Sequence, residues 1–322
     1  MKAIVQDAYG PVEVLRLAEI AKPVVGEDEV LVRVRAAGVD QGVWHLMAGR
    51  PYVMRLAGFG LRAPKNPVRG YDVAGHVEAV GAHVTMIRPG DEVFGTCRGS
   101  FAEYAAARPD RLAPKPGNFS FEQAAAVPIS GYAALQAVRD HGKVGAGQRV
   151  LIIGAGGGVG TFAVQLAKAY GAEVTGVCST PKTELVRSIG ADHVIDYTRE
   201  EFVDGRNRYD VILDIAGNRS LSHLRRALTP RGTLVIVGGE DAGNWLGVRR
   251  QLRAAALSPF VGQKLGTFIS KERSQDLEEL RKLLEADTIR PVLDRTFRLD
   301  QVPEAIRYLR DGRARGKIVI TT

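Results

Sequence analysis

Apolar positions along the chain follow two different periods. From Met1 to about Pro116 they alternate with polar ones in short runs, as in Val30-Leu-Val-Arg-Val-Arg35 and, less cleanly, Gly75-His-Val-Glu-Ala-Val80. Turn residues separate these runs, for example Pro89-Gly-Asp91 ahead of Glu92-Val-Phe94. Period-two alternation marks strands with one buried face, so this half predicts a small, β-rich, barrel-like domain. Further on, the apolar runs are unbroken and short: Val150–Ile153, Glu173–Cys178, His193–Tyr197, Asp210–Asp214 and Thr233–Val237. Between the first two, Phe162, Gln165, Leu166 and Ala169 recur at helical spacing. Doubly buried strands alternating with helices predict an α/β region with a parallel, doubly wound sheet.

The change of period coincides with a change of composition. Leu112-Ala-Pro-Lys-Pro-Gly117 is rich in Pro and Gly, and Ser120 followed by Gln123 has the spacing of a helix capping box. This sets a boundary near residue 118. The alternating region runs to about 256, followed by a helical Asp276–Leu284 and a last strand, Lys317–Thr321. That strand has no evident partner in the doubly wound region, so it is expected to return to the first domain. The organisation expected is therefore 1–118 with 257–322, and 119–256 inserted between. Two stretches resist this reading: Arg50–Val68, broken by prolines and glycines and expected as a loop, and Asn244–Lys264, expected to pack as core.

Chemistry enters at Arg149-Val-Leu-Ile-Ile-Gly-Ala-Gly-Gly-Gly-Val-Gly160, where a strand breaks into glycines and resumes as a helix. Ala155, Gly157 and Gly160 hold the three small positions of a dinucleotide fingerprint: one for the turn, one for backbone approach to a pyrophosphate, one for helix–strand contact. Gly158 and Val159 complete the loop, whose amides point at a phosphate on the helix N-terminus.

Composition adds limits. The chain has 322 residues, 45% of them hydrophobic and 25% charged, which suits a folded protein of two domains. The net charge of +8 is spread along the chain apart from Arg249, Arg250 and Arg253, without aromatic interleaving. No nucleic-acid partner is expected from it. Cys97 and Cys178 are the only cysteines, too few for a disulfide framework. No apolar run is long enough to span a bilayer and no leader-like segment opens the chain, so a cytoplasmic location without a membrane partner is expected.

Taken together, the motifs resemble the medium-chain dehydrogenase/reductase superfamily, in its zinc-free quinone-oxidoreductase-like branch. The resemblance rests on Ala36–Asp40, Gly70-Tyr-Asp-Val-Ala-Gly75 with Val80-Gly81, Pro89–Val93, Ala124–Pro128 with Ser130-Gly131, the glycine loop, Gly190-Ala-Asp192 and Gly316-Lys317. It implies a GroES-like catalytic domain built from both chain ends, a Rossmann domain inserted between them, an active site in the cleft, and a homodimer. Zinc members carry Cys and a His-Glu pair where this chain has Asp40, Tyr71 and Asp72, and their cysteine-rich lobe is missing. Tyr71 is a poor zinc ligand. A carboxylate-rich site from Asp40, Asp72, His45 and His76 is the alternative; the expectation is no metal.

Without zinc, conjugate reduction is favoured over alcohol–ketone interconversion. Hydride reaching an enone or a quinone leaves charge already delocalised onto oxygen, which a few hydrogen bonds can stabilise. Candidate catalytic groups are Asp40, where zinc-free relatives commonly carry Asn, His45, Tyr52 and Tyr71. Asp40 either has its pKa raised by burial or orients another group. For the cofactor, the second Rossmann strand ends in Cys178-Ser-Thr-Pro-Lys182 with no acid before Glu184. An acid there would accept from the ribose diol of NAD, whereas Ser179 and Lys182 suit a 2′-phosphate, so NADPH is expected. The resemblance adds Tyr197 near the adenine, Ser130 near the nicotinamide ribose, Gly217, Gly238 and Gly239 in the following loops, and Lys317 near the phosphates. The activity implied is NADPH-dependent reduction of a quinone or an α,β-unsaturated carbonyl. Enoyl-thioester reduction is a second reading, and a cofactor-binding protein without turnover is a third.

Overall fold

A computed structural model describes the chain apart from residues 53, 54, 56–59, 204–206, 218 and 239–248, and the side chain of residue 249. The chain divides into two compact units: residues 1–132, 272–287 and 291–322 form one, and residues 133–271 with 288–290 the other.

The first unit begins with β1 (Lys2–Val5), β2 (Arg16–Glu19) and β3 (Val30–Val39), then α1 (Gln41–Ala48), β4 (Asp72–Val80), β5 (Glu92–Thr96), β6 (Tyr104–Ala107) and β7 (Leu112–Pro114). Helices α2 (Phe121–Ala125) and α3 (Pro128–Leu135) follow. The capping box anticipated at the start of α2 is present: the Gln123 N–H donates to Ser120 Oγ (3.3 Å) and the Ser120 N–H to Gln123 Oε1 (2.9 Å). The alternation seen in Val30–Arg35 is realised in β3, whose Val30, Val32 and Val34 are 2% exposed or less while Arg33 and Arg35 face outward. Of the loop expected over Arg50–Val68, residues 53, 54 and 56–59 lie outside the described residues.

The second unit holds β8 (Arg149–Ile153), α4 (Gly158–Ala169), β9 (Glu173–Cys178), α5 (Thr183–Ser188), β10 (His193–Asp196), β11 (Tyr209–Asp214), α6 (Leu221–Ala227), β12 (Leu228–Ile236), α7 (Arg249–Leu257) and β13 (Lys264–Thr267). Its strands lie in the order β10-β9-β8-β11-β12-β13, every pair parallel. Numbered within the unit this is 3-2-1-4-5-6, the doubly wound order whose direction of winding reverses between β8 and β11. Val150–Ile153 are at most 4% exposed, as strands covered on both faces should be. A core of Leu151, Ile153, Ile212, Leu224, Leu234 and Ile236, among others, fills one side.

The chain then returns through α8 (Ser274–Glu285), β14 (Leu293–Arg298), α9 (Val302–Arg310) and β15 (Lys317–Thr321). β15 pairs with β14 and antiparallel with β3, so the last strand does close the first unit's seven-stranded sheet. The division falls after residues 132 and 271, later at each crossing than the expected 118 and 256. The second difference has a clear cause. β13 is short and polar on its outer face, giving no apolar run in the sequence, yet it pairs in register with β12 from Thr233–Lys264 to Ile236–Thr267. The Asn244–Lys264 stretch is thus α7, a 3-10 turn and the start of an outer strand, with residues 244–248 outside the described set. Both cysteines are free and buried.

Candidate functional site

In a doubly wound sheet the ligand crevice lies beyond the carboxyl ends of the strands where the winding reverses, here the ends of β8 and β11. The loops there are tied to one another by backbone. The N–H groups of Gly154 and Ala155 donate to Val177 O (both 3.0 Å), those of Ile215 and Ala216 to Ile153 O (3.0 and 3.3 Å), and that of Val237 to Asp214 O (2.9 Å). Gly154 turns the chain with φ +88°, a conformation that favours glycine. Ala155 is fully buried against Gly176 of β9, where an added Cβ would lie 3.1 Å from the Ala155 methyl. Gly160 is packed still more tightly, since a Cβ there would meet Gly154 O at 2.1 Å. Gly157 is the open member: only Gly154 O, at 3.5 Å, approaches its Cβ position. It is also the N-cap of α4 and offers no side chain to the first turn, so the amides of Gly158, Val159 and Gly160 have no capping partner. Open approach thus falls on Gly157 and close packing on Gly160, whereas the positive-φ turn falls on Gly154, one residue before Ala155.

The specificity loop runs from the end of β9. Its Lys182 lies across the glycine turn: a Cβ built on Gly156 would be 2.8 Å from Lys182 Cβ and 2.9 Å from Cδ. A half-buried lysine against the phosphate loop differs from a solvated first-turn lysine. Ser179 heads the same turn, and Tyr197 follows β10 with its N–H donating to Cys178 O (3.1 Å), so the three are neighbours across one strand pair. Gly217 has φ +73° after β11. Gly238 packs onto the same loop, with Ile215 O 2.2 Å from its Cβ position. Gly239 lies outside the described residues.

Two acids that sequence reasoning passed over hold these loops. Asp196 accepts from Thr180 Oγ1 (2.5 Å), Thr198 Oγ1 (2.7 Å) and the Thr198 N–H (3.0 Å). The hydrogen bonds from Thr180 and Thr198 keep its carboxyl below the usual range. Asp214, fully buried, accepts from the Gly217 N–H (3.0 Å) and pairs with Arg250, whose Nη1 also donates to Arg219 O (2.9 Å). Burial pushes the Asp214 carboxyl up and Arg250 opposes it. The available signal was position, since each acid ends its strand directly after apolar residues.

In the first unit, Asp40 is the N-cap of α1, accepting from the Gly42 N–H (2.7 Å) and the Val43 N–H (3.3 Å) through Oδ1. Its Oδ2 is buried without a partner. Its helix carries His45, whose Nδ1 lies 3.2 Å from Arg50 O and whose ring meets Trp44 edge-on at 5.0 Å. Burial lowers the His45 pKa, so the ring is neutral at pH 7 and Nδ1, as donor, leaves Nε2 an acceptor. Tyr52 has Arg55 over its ring at 4.7 Å. Burial raises the Tyr71 pKa, so its phenol keeps its proton.

Ser130 and Lys317, expected at a cofactor, are brought together with Asp72. Lys317 Nζ donates to Asp72 Oδ2 and Ser130 Oγ, both at 3.1 Å, and the Ile129 N–H donates to Asp72 Oδ1 at 2.8 Å. All three side chains are at most 1% exposed. Burial lifts the Asp72 carboxyl above the ordinary carboxylate range, with the Lys317 ammonium pulling the other way. Asp40 is engaged by a helix end, Asp72 by an ammonium, and among the described residues no three His, Cys, Asp or Glu side chains are grouped to hold a metal.

Comparison with known proteins agrees with this architecture. Residues 26–117 match the alcohol dehydrogenase GroES-like domain profile, and residues 189–320 match a profile described as zinc-binding dehydrogenase. The chain is 34% identical over 336 residues to 2-methylene-furan-3-one reductase of Solanum lycopersicum, covering 99% of this chain and 79% of that protein. Identity is also 34%, over 342 residues, to the chloroplastic NADPH-dependent alkenal/one oxidoreductase of Arabidopsis thaliana, with the same coverage of 99% and 79%. Among solved structures, the quinone oxidoreductase from Coxiella burnetii superposes with a TM-score of 0.87 at 28% identity, covering 100% of this chain and 99% of that one.

Proposed function

Because the chain belongs to the medium-chain dehydrogenase/reductase superfamily, in its quinone-oxidoreductase-like branch, we propose that it is an NADPH-dependent reductase of quinones or α,β-unsaturated carbonyl compounds. The cofactor fits the second unit. The pyrophosphate would lie on the α4 amides beside Gly157, where an open Cβ position leaves room for it. Ser179 and Lys182 would hold the 2′-phosphate and Tyr197 the adenine side. The observation that carries the reading is Lys182 packed across Gly156, a cation fixed at the phosphate loop where an NAD site would place an acid.

Bound NADPH supplies the hydride, which adds to the β-carbon of an enone or to a quinone and leaves negative charge delocalised onto oxygen. Candidate groups for that oxygen lie in the first unit. Tyr71, protonated throughout the neutral range, and Tyr52 donate hydrogen bonds; neutral His45, positioned by the helix that Asp40 caps, accepts and relays a proton. Water supplies the final proton to the α-carbon or the quinol. The reaction runs without zinc, a reading supported by the prior engagement of Asp40 and Asp72.

The same reading places the protein in the cytoplasm as a homodimer acting on small molecules, with no nucleic-acid or membrane partner. The outer position of β13 among the described strands supports the dimer, because an edge strand offers a symmetric seam. No helix among the described residues is long and apolar enough to cross a membrane.

Cofactor choice is the test. A charge-assisted contact contributes about 1.5–3 kcal/mol, or roughly 10- to 100-fold in affinity. In steady-state assays kcat/KM for NADPH should exceed that for NADH, and Lys182→Ala should remove that advantage by a loss with NADPH alone. Equal use of both cofactors by the parent protein would refute the assignment.

A further inference from the structure

Arg69 is a buried cation for which the described residues provide no anion. It is 7% exposed, its Nε is enclosed without a hydrogen-bond partner, and among the described residues its guanidinium enters no ion pair. A guanidinium stays charged at any ordinary pH, so burial here is costly unless something compensates it. Backbone pairing explains why the side chain points inward. The Arg69 N–H donates to Ile4 O (3.3 Å) and the Phe101 N–H to Arg69 O (2.9 Å), which sets Arg69 beside Ile4 and Phe101. Its neighbour Val68 bridges to Val5 and packs with Ala3 and Ala102 on the opposite face. Alternation therefore turns Arg69 to the side of Ile4 and Phe101, which belong to the main core of the unit.

The surroundings fit an occupant. Gln6 and Ser100, both fully buried on the flanking segments, also have unpartnered polar atoms, Oε1 and Oγ. Ser100 Oγ lies against Gly70, 2.4 Å from where a Cβ would stand, and so beside the turn that joins Arg69 to Tyr71. The fields of Arg69 reach the phenols of Tyr71 and Tyr9. Within the guanidinium only Nε is fully enclosed, which leaves the Nη end of the fork open to a ligand. An ionised carboxylate suits the guanidinium and the Ser100 hydroxyl, although it offers no donor to Gln6 Oε1. It brings the missing charge, accepts two parallel N–H bonds from the fork, and accepts the Ser100 hydroxyl. Lysine would serve for a point charge, whereas a planar fork matches a planar acid.

We infer that Arg69 anchors a substrate carboxylate beside Tyr71, so that the acceptor reduced by this protein is an α,β-unsaturated carbonyl compound bearing an acid group. This rests on the reductase reading above and narrows its substrate class.

The test uses matched acids and esters. Binding of 4-oxopentanoate and of its methyl ester is measured by calorimetry on the full chain, and turnover of (E)-4-oxopent-2-enoate and its methyl ester is followed with NADPH. The parent protein should bind and reduce the acid at least tenfold better than the ester. Arg69→Met should abolish that preference through a raised KM for the acid, and Arg69→Gln should behave alike. Equal affinity for acid and ester in the parent protein, or acid binding unchanged in either variant, overturns the anchor whether or not the variants fold, since the parent comparison stands alone. A kcat loss on the neutral ester with unchanged acid binding also overturns it, because Arg69 would then act only on the developing oxyanion. Reduction of neutral enones without acid preference leaves the reductase reading intact. Arg69-dependent acid binding with no reduction of any acceptor leaves the anchor and removes the reductase reading.

Discussion

Lys317 and Asp72 are the residues most exposed to the consequences of losing a partner. Each is at most 1% exposed and their contact is 3.1 Å. Breaking a buried ion pair from one side leaves an uncompensated charge and costs about 3–5 kcal/mol, whereas replacing both partners by apolar groups costs far less. Lys317→Met is therefore expected to lower the calorimetric Tm sharply, and Lys317→Met with Asp72→Leu to recover most of the loss. A full loss persisting in the double variant would show that the Ile129 and Ser130 contacts, not the charge, govern the site. At this scale the sequence was least legible. Asp72 and Lys317 were separately conspicuous, but their meeting spans 245 positions and depends on β15 returning to the sheet of β4. Asp40 was ambiguous for a local reason: whether a carboxylate caps a helix or faces a substrate depends on where α1 begins, and no residue before Gln41 marks that start except Asp40 itself.

At the scale of elements, the strand–turn–helix of β8 and α4 was legible nearly residue by residue, because its glycines answer to steric demands that a sequence displays directly. Those demands differ along the turn. Gly160→Ala places a methyl 2.1 Å from Gly154 O and 2.8 Å from Ala155 backbone, so it should cost about 1–3 kcal/mol of stability or more. Gly157→Ala meets only Gly154 O at 3.5 Å. Alanine at an N-cap held by glycine costs roughly 1 kcal/mol or less. Both variants should weaken NADPH binding, but only Gly160→Ala should also show a clearly lowered denaturation midpoint. Equal stability losses would mean that close approach to a phosphate is not what keeps Gly157 open. The capping box of α2 was readable for the same reason, as a local pattern with local partners. β13 was not, since its four residues join the sheet through backbone hydrogen bonds and only Leu265 is buried among them.

At the scale of the whole molecule, the return of the final strand followed from counting partners, and both chain ends do build one unit. The crossing points moved to residues 132 and 271 because Ser130 is held by the first unit and the outer strand β13 extends the second. The excess charge of +8 bears on function at this scale, raising the local concentration of an anionic cofactor without specifying it. The account as a whole stands on the identity of the bond reduced. An open-chain enone incubated with NADPH deuterated at C4 decides it by product analysis. The saturated carbonyl, with deuterium at the β-carbon, one product per NADPH consumed and no effect of a metal chelator, is the result predicted. An allylic alcohol carrying deuterium at the carbonyl carbon, abolished by the chelator, would contradict it.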